Sequence, residues 1–294
     1  MFDLRYHLAS LTAVFVALIL GILIGIGLAA TDTVRERDVE NLENDVAQLS
    51  RELEVERGRS AQLALQQEGT EQFIEDSYAA LMHERLAGKR FALVFAGSID
   101  NRVRQSIERA LEDSGSDGVT RVRALKLPLD PQVFARILGG GRPFEEYEDQ
   151  DDLGAFGRDL ANELVEGGET PLWDALSGQL VEEQEGGFRS AVDGVVLART
   201  AEPQSGVTTQ FLAAFYRGLA SNGIPAVGVE MSDTRPSTLR SFSRRDLATV
   251  DHLNLRIGRL ALALLLDGGE EGQYGLRGED GILPLPIEPV EPEE

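Results

Sequence analysis

The sequence contains no cysteine. That excludes a disulfide framework, a thiolate zinc or iron–sulfur site and a cysteine nucleophile. It leaves the redox compartment open, because a cysteine-free chain tolerates any. Methionine is confined to Met1, Met82 and Met231, and histidine to His7, His83 and His252. Neither set shows a metal-ligand spacing such as HExxH. Lysine occurs only at Lys89 and Lys126, so nearly all positive charge is arginine. Positive charge is also scarce overall: 28 Lys+Arg face 50 Asp+Glu, a formal net charge of −22 over 294 residues. A broad face of that sign repels phosphate backbones, which excludes a conventional nucleic-acid binder. Apolar residues are not scarce. At 42% they suffice for a core and exceed what a disordered chain carries.

The longest apolar run is Leu11–Ala30, which holds no charge and one polar residue, Thr12. A helix of about 20 residues rises about 30 Å, the thickness of a bilayer core. A cleavable signal peptide is the competing reading, since Gly27-Leu28-Ala29 offers small residues. The run exceeds the usual apolar region of such signals, so an uncleaved anchor is expected. Gly21 and Gly25 form a GxxxG pair, open to two readings: a close helix–helix contact, or glycine simply tolerated in lipid. Arg5 precedes the run and Arg35 and Arg37 follow it. That slight bias opposes an inside N-terminus, but the tail is short and large domains translocate largely regardless of charge. The expected orientation is N-terminus inside and the acidic domain outside.

Val39, Leu42, Val46, Leu49 and Leu53 follow at alternating steps of three and four, an a/d seam with charged residues on the other faces. The seam fades after Leu53. A parallel coiled-coil dimer and a lone amphipathic helix packing on its own domain both fit it. The coiled coil is the expectation, with the helix continuing past Gly69 to end near Gly88.

The remainder alternates. Phe91–Ala96 and Val119–Leu127 read as strands, with helices over Asn101–Asp113 and Pro128–Leu138. Continuous apolar strands alternating with helices argue for a mainly parallel sheet. Residues 139–190 break the pattern with Gly139-Gly140-Gly141, an acidic run and helical patterns over Leu153–Val165 and Pro171–Glu185. They read as a helical insertion. Alternation then resumes, with strands over Val192–Ala198 and Ile224–Val229 and helices over Thr208–Ala220 and Leu253–Leu266. The expected fold class is α/β: an N-terminal transmembrane helix (11–30), a helical stalk (31–87), and a Rossmann- or flavodoxin-like three-layer domain (88–283). A Pro- and Glu-rich tail (284–294) closes the chain.

Chemistry is sparse. Ala96-Gly97-Ser98-Ile99-Asp100 supplies one glycine where a dinucleotide turn needs GxGxxG, and neither GxxxxGK[ST] nor GxSxG occurs. No catalytic set, resident cofactor or metal ligand set is expected, and the chain reads as a non-enzyme. Met82-His83 is the one soft pair for copper, and Met82 reads better as a packing residue. The acidic run Glu145–Asp152 lacks an EF-hand pattern and reads as a solvated loop. Ligands of open parallel sheets sit beyond the carboxyl ends of the strands. By that geometry alone Ser98, Asp100, Arg199 and Glu230 form a candidate ligand crevice.

The start Phe2-Asp3-Leu4-Arg5-Tyr6-His7-Leu8-Ala9-Ser10-Leu11, running into Leu20-Gly21-Ile22-Leu23-Ile24-Gly25, resembles the MctB family (mycobacterial copper transport protein B). So do the stalk, the Gly88–Val94 segment, Thr249-Val250-Asp251 through Gly258–Leu264, and the ending Tyr274-Gly275 with Gly281-Ile282-Leu283-Pro284. The resemblance implies a cell-envelope protein of copper transport or homeostasis, in a family described as pore-forming in the outer membrane. The strands here are few, short and continuously apolar, unlike the long alternating strands of a membrane barrel. The expectation is therefore a membrane-tethered domain acting with partners rather than a self-contained pore. The expected partners are the lipid bilayer and a second copy of the chain, with no nucleic acid. Copper is implied by the resemblance, without a ligand motif to match. The alternatives are an envelope scaffold without a metal role, and a small-ligand receptor or hydrolase using the strand-end crevice.

Overall fold

A computed structural model describes residues 4–147 and 153–284; for residues 4–9 and 28–40 it describes the backbone alone. The tail beyond 284 and most of the acidic run expected as a loop (148–152) lie outside the described residues. The chain divides into two compact units, 1–71 and 72–294. Helix α1, Leu4–Met82, crosses that division. No proline precedes Pro128, so nothing removes a backbone donor along its length.

Within the first unit, Ser10–Gly27 is long and apolar enough to cross a bilayer, with a mean hydropathy of 2.5 and none of it buried. The following stretch is laced by i, i+4 bonds, Gln48 to Glu52 and Gln67 to Glu71, both 2.9 Å. Such pairs support a solvated helix by a few tenths of a kcal/mol each. Leu42, Val46, Leu49 and Leu53 are 57–64% exposed. The side chain of Val39 lies outside the described residues.

Among the described residues, the second unit holds a seven-stranded sheet in the order β3-β2-β1-β4-β5-β6-β7. Its strands are β1 Phe91–Ala96, β2 Val119–Leu125, β3 Val181–Gly186, β4 Gly194–Arg199, β5 Ala226–Val229, β6 Ala248–Val250 and β7 Gln273–Tyr274. All pairs are parallel except β2–β3. Helices α2 (Asn101–Asp113) and α8 (Arg256–Leu266) join the end of α1 in one core. Helices α3 (Pro131–Leu138), α4 (Leu153–Glu166), α5 (Pro171–Leu176) and α6 (Gly206–Ala220) build the other. Strand β1 shows why. Ala92, Val94 and Ala96 enter one core while Phe91, Leu93 and Phe95 enter the second. Period-two alternation delivers both sets to apolar partners, so the strand is apolar throughout.

The helix expected over Pro171–Glu185 is corrected. It stops at Leu176, Gly178 takes φ +77°, and Val181–Gly186 pairs antiparallel with β2. Only Val181 of that strand is buried. Its Glu185 receives a forked bond from Arg104, 2.8 and 2.7 Å. Charge thus faces solvent on a sheet edge, which blunts edge-to-edge pairing. Within the 139–190 region, Phe156, Leu160 and Leu164 of α4 are fully buried in the core under α6. Expected helix starts at Pro128 and Leu253 move to Pro131 and Arg256; Asp130 caps α3 by accepting from the N–H of Gln132 and Val133.

The C-terminal end of α1 is fastened through Tyr78. Its hydroxyl donates to Asp113 at 2.6 Å and accepts from Arg259 Nε at 3.3 Å. Burial, reinforced by the Asp113 bond and opposed by Arg259, pushes its pKa up to about 12. Unfolded tyrosine ionises near pH 10, so the folded state binds more protons between about 10 and 12. This contribution to stability is complete below about pH 10 and fades as pH rises through about 12. The variant Tyr78→Phe is expected to flatten that alkaline decline, read as denaturation midpoints of the full chain across the range.

Candidate functional site

The four expected crevice residues do not converge. Ser98 and Asp100 are spent on local structure where β1 and β4 adjoin. Gly97 has φ +121°, and a Cβ there would sit 2.6 Å from both the Ala201 nitrogen and Thr200 Oγ1. Thr200 and Ala201 donate their N–H groups to the Ala96 carbonyl at 3.1 and 3.0 Å. Thr200 Oγ1 donates to the Ser98 carbonyl at 2.6 Å. The loop after β4 therefore fills the space where a ligand would enter between these strands. Asp100 caps α2, accepting from the N–H of Arg102 at 2.8 Å and of Val103 at 3.3 Å.

Glu230 is 4% exposed and equally committed. Its carboxylate accepts from Ser237 Oγ at 3.0 and 2.9 Å and from the Thr238 N–H at 2.8 Å. A buried carboxylate needs such partners, and these fix the segment that leads into the short helix α7, Arg240–Ser243.

Arg199 lines an open cleft, of about 260 Å³, beyond the carboxyl ends of β4 and β5. Thr209, Leu212 and Tyr216 of α6 form one wall, and Ser237, Thr238 and Ser241 form another. Arg240, Arg244 and Arg245 complete it. Arg199 Nη2 donates to the Glu202 carbonyl at 2.8 Å, and Arg245 Nη1 to the Ser241 carbonyl at 3.2 Å. Among the described residues, no carboxylate lies within 4.0 Å of any of the four guanidiniums. Tyr216 is 1% exposed, and among the described residues its hydroxyl has no hydrogen-bond partner. Burial pushes its pKa up, and the nearby Arg199 and Arg245 oppose the rise.

The soft atoms are placed elsewhere. Met82 and Met231 are buried in the core shared by α1, α2 and α8. His83 is exposed, and His252 bonds through Nδ1 to Asp251. Asp251 also accepts from the N–H groups of Leu276 and Arg277, 2.8 Å each, and so pins the loop after β7. Among the described residues, no three His, Cys, Asp or Glu side chains gather into a metal site.

These features define an α/β protein with one N-terminal apolar helix fit to anchor it in a membrane, and with an open strand-end cleft rich in arginine. The chain belongs to the MctB family: the model of that family, described as copper transport outer membrane protein, MctB, matches residues 1–284. Membership makes it an envelope protein related to copper transport. No curated protein and no solved structure matches it.

Proposed function

We propose that this chain is a single-pass envelope protein that serves copper transport or homeostasis through partners, without enclosing a pore and without enzymatic activity. The observation that carries the reading is the sheet. Its seven described strands are two to seven residues long and form one open sheet with helices on both faces. A strand that crosses a bilayer needs about 9–11 residues and a closed neighbour ring. The parallel strands β2-β1-β4-β5-β6 follow the flavodoxin-like doubly wound order, an arrangement that binds or docks rather than conducts. The apolar helix supplies one span, with the N-terminus inside and the sheet domain outside.

The test pairs two measurements on the full chain. Reconstituted in planar bilayers, it is expected to give no conductance above background. Deleting its gene is expected to change cellular copper, and re-expression to restore it. Discrete channel openings from the purified chain would overturn the partner-mediated reading, and unchanged copper would overturn the process.

The exposed seam supports a parallel coiled-coil dimer. An exposed leucine gains about 1.5–3 kcal/mol on burial, and the 3-4-3-4 spacing matches a second copy of the same helix. Leu42→Asp with Leu49→Asp is expected to lower the dimer fraction of the detergent-solubilised chain at least about tenfold, read by light scattering. An unchanged mass would leave the helix a lone stalk.

A further inference from the structure

We propose that the arginine cleft beyond β4 and β5 is a binding site for a small, soluble, phosphate-bearing anion. Four arginines, Arg199, Arg240, Arg244 and Arg245, line one cavity of about 260 Å³. None is neutralised by a described carboxylate, although the chain as a whole carries −22. Some arginines of the same domain are paired, as Arg104 with Glu108 and Glu185 and Arg102 with Asp233, and others stand singly; what sets the cleft apart is four gathered at one cavity. Grouping unpaired like charges is unfavourable unless an anion offsets it, and guanidinium forks match phosphate oxygens bidentately.

Tyr216 points to a ligand independently of charge. The residue lines the cleft, is 1% exposed, and carries a hydroxyl with no hydrogen-bond partner among the described residues. An unmet buried hydroxyl costs about 1–3 kcal/mol, which a bound acceptor oxygen would remove. The surrounding ends reinforce the choice. Pro203 and Gln204 on the rim lead directly into α6, whose N-cap Ser205 makes no side-chain cap bond. The partial positive charge of that helix start is left for an anion. Glu230, the buried carboxylate behind the wall, is consumed by Ser237 and Thr238 and holds the opposite rim in place. The volume lies below the roughly 300–1,000 Å³ of drug-sized sites, so the ligand is small.

Pyrophosphate is the probe, titrated calorimetrically into the full chain in neutral detergent at low ionic strength. Saturable one-to-one binding that weakens with added salt is expected. Arg240→Gln and Arg244→Gln, both at exposed positions, are each expected to weaken it about tenfold or more, and Tyr216→Phe about tenfold. Arg235→Gln, outside the cleft, is expected to leave it unchanged. Circular dichroism of each variant confirms the fold. No saturable binding at millimolar pyrophosphate, binding that survives the Arg240/Arg244 double variant, or equal affinity for citrate would overturn the assignment.

Discussion

Placing aspartate at Leu18 and Ile22 together is expected to release the full chain from membranes into the carbonate-soluble fraction. Eleven large apolar side chains between Leu11 and Ile26 stand exposed on the N-terminal segment. At about 0.3–0.6 kcal/mol each, their summed preference for the bilayer core is roughly 3–7 kcal/mol. One aspartate near the centre costs about 2.5–3.5 kcal/mol, so two cancel most or all of it and also delete two favourable side chains. The matched pair Leu18→Ala and Ile22→Ala introduces no charge and is expected to keep the protein in the pellet. N-terminal sequencing of the membrane-bound wild type is expected to begin at Met1 or Phe2. A soluble mature protein starting near Ala30 would instead make the segment a cleaved signal, and the tether would be lost.

The elements visible in the sequence were those whose stability is local or whose pattern repeats. The apolar run, the strand Phe91–Ala96 and the helix Asn101–Asp113 each carry their signal within their own residues. Strand β3 does not. Val-Glu-Glu-Gln-Glu-Gly has one apolar side chain, and it is a strand because β2 offers an unpaired edge and Arg104 and Arg123 hold Glu185 by side chain and carbonyl. Those partners lie far away in sequence, and no window over 181–186 contains them. Strands β6 and β7, three and two residues long, are too short to show a period.

The candidate site divides in the same way. Strand-end geometry nominated Arg199, which lines the cleft, together with Ser98, Asp100 and Glu230, which are placed apart. Their side chains and carbonyls are consumed by Thr200, by the α2 N-terminus and by the 237–238 segment. Arg240, Arg244 and Arg245 were open to view as a basic cluster in an acidic chain. Only the turn held by Glu230 brings them opposite Tyr216.

The other large effect is expected at Gly157, where the 139–190 region meets the core. A Cβ on Gly157 of α4 would lie 2.4 Å from the Ala214 carbonyl carbon and 2.6 Å from the Phe215 nitrogen of α6. A Cβ on Gly218 would lie 2.6 Å from the Gly157 carbonyl oxygen. The obstacles are backbone atoms, so no rotamer change relieves them and the helices must part. Parting them loosens a continuous aromatic cluster in which Phe156 touches Phe134, Tyr147 and Phe211 at centroid distances of 6.2, 5.3 and 6.0 Å. Helix propensity alone favours alanine over glycine by about 0.8–1 kcal/mol. Overpacking opposes it by about 1–3 kcal/mol and exceeds that range where backbones collide. The net expectation for Gly157→Ala is a loss of about 2 kcal/mol, seen as a lower denaturation midpoint at unchanged slope. Gly154, one turn earlier on α4, meets nothing within 4 Å among the described residues. Gly154→Ala is accordingly expected to gain up to about 1 kcal/mol. Opposite signs from two identical substitutions in one helix isolate the packing from the propensity. Equal signs would mean that α4 does not press against α6 at Gly157.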